Sequence, residues 1–180
     1  CVKDSGPNGF ANAQYLSQSL KELGFTVRRF KTGTPARVRM KSIDLSKTVE
    51  QHGEEDVLPF SYLTDSIPAT KRSCYLTYST QKTKEIILEN KHFAPIYNGS
   101  INGVGPRYCP SIEDKIVRFA DKERHQIFLE PEAEDTCEFY VQGASSSMPA
   151  AIQEQIYHSI EGLENVEIMR DAYAIEYDCI

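Results

Sequence analysis

Apolar side chains recur at Phe10, Ala13, Leu16, Leu20 and Leu23, the spacing of one helical face, and this predicts a helix capped by Asn8 and ended by Gly24. FTVRRFK follows as a strand. The segment over residues 42–70 is polar, turn-rich and poorly periodic, which suits an irregular insertion or a set of short β elements. SCYLTYST then sets Cys74, Leu76 and Tyr78 against Tyr75 and Thr77, the two-residue period of a half-buried strand. Residues 81–90 read as a short helix carrying Ile86 and Ile87. IVRFA, HQIFLE and EFYVQG read as strands, and Pro149 opens a helix carrying Ile152, Ile156 and Ile160. VEIMR and YAIEYDCI close the chain as strands. Strands outnumber helices, no repeat interrupts them, and the mixture reads as α+β with mostly antiparallel or mixed strands.

Composition narrows the classes. No apolar run approaches the roughly 18 residues of a membrane span. A net charge of -6 and a pI near 5.3 exclude a globally basic nucleic-acid binder and leave room for a local patch. One such run exists: Arg28, Arg29, Lys31, Arg37, Arg39 and Lys41 lie within 14 residues without an acid, around a turn expected at Thr32-Gly33-Thr34-Pro35. Its backbone amides and cations suit a phosphate, while basic side chains guarding a solvated strand edge are the alternative. It is not a Walker A loop. The five cysteines are odd in number, far apart and without a Cys-x-x-Cys pair, which argues for a reducing compartment and against a disulfide framework or a zinc site. The first residues carry neither an initiator methionine nor a leader pattern, so the chain reads as a piece of something larger.

The most pointed stretch is GVGPRYCPSIEDK, residues 103–115. Its glycines permit close approach or positive φ, and the two prolines restrict the loop that holds Cys109. Ser111 with Asp114 forms a capping-box pattern, so a helix is expected just beyond Cys109; its first amides and Arg107 favour a thiolate. On residues alone a small cysteine filling a turn remains the alternative. None of His52, His92, His125 and His158 is tied to Cys109 locally, and protease signatures are absent. The carboxylates over residues 130–138 lack calcium-loop spacing and read as a solvated loop. No Gly-x-Gly-x-x-Gly occurs.

RFKTGTPAR (29–37), SIDLSK (42–47), PFSYL (59–63), GVGPRYCPSIEDKIVRFADKERHQIFLEPE (103–132) and YAIEYD (173–178) together resemble the middle portion of the tRNA uridine 5-carboxymethylaminomethyl modification enzymes, the MnmG family, also called GidA. The resemblance implies a cytoplasmic flavoprotein that binds FAD noncovalently and acts as a homodimer with an MnmE-type GTPase. With NADH, methylenetetrahydrofolate and an amine donor, it modifies carbon 5 of the wobble uridine of tRNA. It implies that Cys109 is catalytic, as nucleophile or acid/base, and that Gly103, Gly105, Arg107 and Tyr108 lie near the flavin. Lys31, Thr32, Gly33, Thr34 and Arg37 match a family motif and are expected to face cofactor or tRNA phosphate; no metal is implied. Residues 1–40 and 100–180 would then belong to the flavin domain and 41–99 to an inserted, NADH-associated subdomain. The family's N-terminal FAD fingerprint and C-terminal helical region are missing, so the isolated chain is expected to be inactive. A noncatalytic module docking tRNA or a protein partner, and a folate-dependent tRNA uridine methyltransferase relative, are the competing readings.

Overall fold

The computed structural model describes residues 3–54, 57–67, 72–107 and 109–180. The elements are α1 (Gln14–Glu22), β1 (Arg28–Thr34), β2 (Arg37–Arg39), β3 (Val49–Gln51), β4 (Cys74–Tyr78), α2 (Gln81–Glu89) and α3 (Pro95–Asn98), then α4 (Ile112–Arg118), β5 (Gln126–Pro131), β6 (Glu138–Gln142), α5 (Ala150–His158), β7 (Ile168–Arg170) and β8 (Tyr173–Cys179). The class is α+β. Six strands form one sheet in the order β3-β4-β5-β6-β2-β7, and β1 and β8 form a separate ribbon. All of these pairings are antiparallel. The larger sheet draws strands from each of the stretches 1–40, 41–99 and 100–180. No helix among the described residues is long and apolar enough to cross a membrane.

The alternation in the strands decides which face is buried. Ile127 and Leu129 on β5 and Phe139 and Val141 on β6 are all within 1% of complete burial, and the register Leu129↔Val141 and Pro131↔Phe139 places them on one face. On β4 the inward set is Tyr75 and Thr77: Thr77 is buried, and the Tyr75 ring lies 6.2 Å from that of Phe139. Tyr157, Ile160 and Leu163 cover this face. A second core joins Ile86 and Ile87 of α2, Ile112 and Ile116 of α4, and Ile152 and Ile156 of α5. Helix α5 therefore serves both cores, Ile152 and Ile156 turning one way and Tyr157 the other. Each fully buried side chain of this size contributes about 1.5–3 kcal/mol.

Four expectations are corrected. The first helix starts at Gln14: residues Pro7–Gly9 form a separate 3-10 turn, and Gly9 at φ +79° breaks the helical path. Phe10, Leu16 and Leu23 on its apolar stripe are 72%, 63% and 75% exposed. The basic run does not turn at Thr32; β1 continues through Thr34, with Gly33 opposite Ala174, because seven rungs to β8 outweigh the turn preference of Thr-Gly-Thr. IVRFA is not a strand, since Ile116–Arg118 complete the helix whose phase the Ser111 cap sets, and Ile116 is buried in the helical core. The acidic stretch is not simply solvated: Glu130 ends in β5, Glu132 pairs with Arg37 at 2.6 Å, and Glu138 pairs with Arg170. The helices over 81–89 and 150–158 and the remaining strands fall where the periodicity placed them.

Candidate active site

The loop that carries Cys109 is laid onto the β1–β8 ribbon like a short third strand. Val104 bridges Phe30 in parallel, Lys31 N donates to Val104 O at 3.1 Å, and Val104 N donates to Arg29 O at 3.3 Å. Glu176 on β8 accepts from the amides of Asn102 (2.9 Å) and Gly103 (2.6 Å) through one carboxylate oxygen. This explains Gly103: a Cβ there would stand 2.7 Å from the carbonyl carbon of Phe30, so only glycine lets the two backbones meet. At Gly105 a Cβ would meet only the flexible Cε of Lys31, at 3.3 Å. Arg107 follows in the turn. Tyr108 lies outside the described residues. The amide of Cys109 donates to Pro106 O at 3.3 Å, and the residue is exposed.

The N-cap of helix α4, Ser111, follows two residues later as the capping pattern requires. Ser111 Oγ accepts from Asp114 N, and Asp114 Oδ2 accepts from Ser111 N, at 3.2 and 3.3 Å. Asp114 does more than cap. Its Oδ2 also accepts from Lys31 Nζ at 3.2 Å, with both side chains 4% exposed, and its Oδ1 accepts from the Tyr97 hydroxyl at 3.2 Å. Burial, then the neighbouring Asp114 carboxylate, pushes Tyr97 up to about 12, so it stays a donor at neutral pH. The buried ammonium is thus matched by a carboxylate whose other lone pairs are occupied, which makes a buried ion pair tolerable.

A shallow depression of about 210 Å³ is lined by Lys31, Gly33, Cys109, Ser111, Ser145, Ser146, Ser147 and Ala174. The serines form a wall between β6 and α5, and four groups hold it. Tyr157 accepts from Ala36 N at 2.8 Å and donates to Ala144 O at 2.9 Å, tying the wall's base to the β1–β2 connection. Ile112 N donates to Ser145 O at 2.8 Å. Glu113 accepts from Ser147 N at 3.1 Å and from Ser147 Oγ at 3.3 Å. Gln153 donates to Met148 O and joins Ala172 in both directions. Glu113 is fully buried, its Oε2 has no hydrogen-bond partner, and burial pushes its carboxyl up.

Of the basic run, Lys31 and Gly33 reach this depression and the rest do not line it. Thr32 and Thr34 are half-buried on β1. Arg37 turns to Glu132, Thr34 Oγ1 and the Tyr140 ring, 4.7 Å from its centroid. Arg29 meets Glu176 and Asp178, and Arg39 meets Glu167. Four of the six cations are therefore matched to carboxylates of this chain. Among the described residues, no group of three or more His, Cys, Asp or Glu could hold a metal ion. Sequence reasoning missed Glu113, the partner role of Asp114, and Ser145, Ser146 and Ser147. Three consecutive serines between a strand and a proline-started helix were the available signal. The Lys31–Asp114 contact spans 83 positions and left none.

Fold and depression together define a class: α+β proteins in which a glycine–proline loop presents a thiol beside a buried lysine–carboxylate pair. Within it, the chain belongs to the GidA family, whose model, described as glucose inhibited division protein A, matches residues 2–180. It is 60% identical over 179 residues to the "tRNA uridine 5-carboxymethylaminomethyl modification enzyme MnmG" of Clostridium botulinum (strain Loch Maree / Type A3), covering 99% of this chain and 29% of that protein. The protein of the same name from Caldicellulosiruptor saccharolyticus is 59% identical with the same coverage. Aquifex aeolicus GidA in its form I crystal superposes with a TM-score of 0.86 at 49% identity, covering 98% of this chain and 30% of that one. The form II crystal gives 0.84 at 45% identity, covering 98% and 28%. The chain thus spans about 29% of the length of the curated relatives it matches.

Proposed function

We propose that this chain is the Cys109-bearing part of a cytoplasmic, FAD-dependent tRNA-modifying enzyme that installs the carboxymethylaminomethyl group on carbon 5 of the wobble uridine. The observation that carries the reading is the exposed thiol at the rim of the depression, on a chain matched along its whole length by relatives bearing that enzyme's name. NADH and methylenetetrahydrofolate serve as co-substrates, and the whole enzyme is a homodimer working with an MnmE-type GTPase.

The depression has room between its walls for little more than a water molecule, so it encloses no dinucleotide, and a flat ring would lie against it by one edge. Lys31, Gly33 and Ser145 form the face such an edge would meet, and other parts of the enzyme would complete the site. Hydride chemistry would come from an FAD bound against these residues. The residues of this chain supply the thiol: as Cys109 sulfur adds to carbon 6 of the uracil ring, the carbon 5–carbon 6 π pair moves toward carbon 5 and the carbon 4 carbonyl, leaving carbon 5 nucleophilic. The buried Lys31–Asp114 pair keeps the floor beside the thiol fixed.

In the full-length enzyme, Cys109→Ser should lower the modification rate by about 10²-fold or more while FAD and tRNA still bind. Near-normal modification by that variant would mean that this region only docks tRNA or a partner. The 180 residues alone are expected to show no turnover of tRNA.

A further inference from the structure

We propose that Glu113 is a positioning residue of this site, which sets the Ser145–Ser147 wall against Cys109 by holding both the amide and the hydroxyl of Ser147. The inference rests on the reading of Cys109 as the reactive thiol, and its test reads the wall separately from turnover.

Three observations converge on Glu113. It lies in the first turn of α4, next to Asp114, yet it is fully buried where a first-turn carboxylate ordinarily faces water. One of its oxygens accepts from both the amide and the hydroxyl of Ser147, which lines the depression, at 3.1 and 3.3 Å. Its other oxygen is the only buried side-chain polar atom without a partner among the described residues. A carboxylate in that position would leave half its charge uncompensated; a carboxylic acid keeps one oxygen for Ser147 and carries the proton on the other. The charges around it agree. Burial is the largest influence and raises its pKa, Asp114 on the same helix raises it further, and the opposing influences are its own and Ser147's backbone hydrogen bonds and the Lys31 ammonium on β1. Tyr97 and Tyr157, the other titratable groups that sense Glu113, stay neutral. Lys31 is already committed to Asp114, so it does not stabilise an ionised Glu113 as an ion-pair partner.

The residue acts through Ser147 and touches no reacting atom. Gln at this position keeps an oxygen for Ser147 and a donor where the acid proton sat; Leu keeps the volume and removes both.

The test uses the full-length enzyme with FAD bound and measures N-ethylmaleimide modification of Cys109, followed by mass spectrometry of its peptide. Glu113→Gln is expected to keep the rate within about twofold of the parent. Glu113→Leu, with the wall released, should raise it threefold or more and lower kcat with little change in KM. A folded Glu113→Leu enzyme with the parent's alkylation rate and kcat overturns the proposal. If the Leu variant does not fold, the Gln variant decides. Its melting temperature, relative to the parent's, must rise as pH goes from about 4.5 to 7, because only the parent must ionise or retain a buried acid. Parallel melting curves over that range overturn the proposal. Loss of turnover in Cys109→Ser is a separate matter, so failure of the catalytic reading leaves the alkylation result interpretable.

Discussion

Gly103 and Gly105 look alike in the motif, and both were expected beside the flavin. Their surroundings separate them. A methyl at position 103 is driven into the β1 backbone at 2.7 Å, whereas at 105 it meets the far end of Lys31 at 3.3 Å. Gly103→Ala should therefore cost about 1–3 kcal/mol as an overpacked site, lowering the midpoint of thermal unfolding by several degrees, and Gly105→Ala much less. Equal shifts in the two melting curves would show that the Val104 bridge yields easily. At this scale the sequence was partly legible. Cys109, its proline brackets and the Ser111 cap could be read because they are local, while Glu113 looked like any first-turn acid. Its burial depends on Ser147, 34 positions away.

Helix α4 is short, and its stability comes from a cap that belongs to two networks. Ser111→Ala removes one capping acceptor and should cost about 1 kcal/mol. Asp114→Asn removes the cap charge and also strands a buried ammonium, so about 3–5 kcal/mol is expected in a denaturant titration. Lys31→Met combined with Asp114→Asn should recover part of that loss; additive costs would mean the pair is not coupled. Elements with a local apolar period, such as the nine-residue α5 and the six-residue β5, were legible because their buried positions recur at helical or strand spacing within the element itself. β1 was misjudged at its far end because β8, which holds Thr32, Gly33 and Thr34 extended, lies some 140 positions away in sequence.

For the whole molecule, titration acts from two sides. Asp44, Glu164, Glu167 and Asp178 sit below their ordinary range: Ser46 for Asp44, Lys47 for Glu164, Arg39 for Glu167, and Ser17 with Arg29 for Asp178 favour their ionised forms. Their stabilisation is present above the carboxylate pKa of the unfolded chain and is lost as pH falls through the lowered values. His125 is held down by burial and by Lys115, Lys122 and Lys84, so acid also removes stability as pH drops below about 6.5, the unfolded value. Glu113 and Glu130 are raised by burial and act oppositely, withdrawing stability as pH rises from about 4.5 toward their raised values. Unfolding free energy measured against pH should fall away at the acid side, and Glu113→Gln should lift the curve progressively toward neutrality. A curve flat from pH 3 to 7 would contradict these assignments.

The ribbon of β1 and β8 also sets how the chain would respond to force. Arg28 and Cys179 are paired at one end of its seven rungs, so the chain enters and leaves side by side. Tension applied through neighbouring parts of a longer protein would peel these rungs one after another, the weak direction for an antiparallel pair, instead of shearing them together. The second to fourth rungs carry Arg29, Phe30 and Lys31, the residues against which the Cys109 loop rests. The thiol thus sits near the mouth of a mechanical zipper, and a pull of a few rungs would release its loop long before either core gave way.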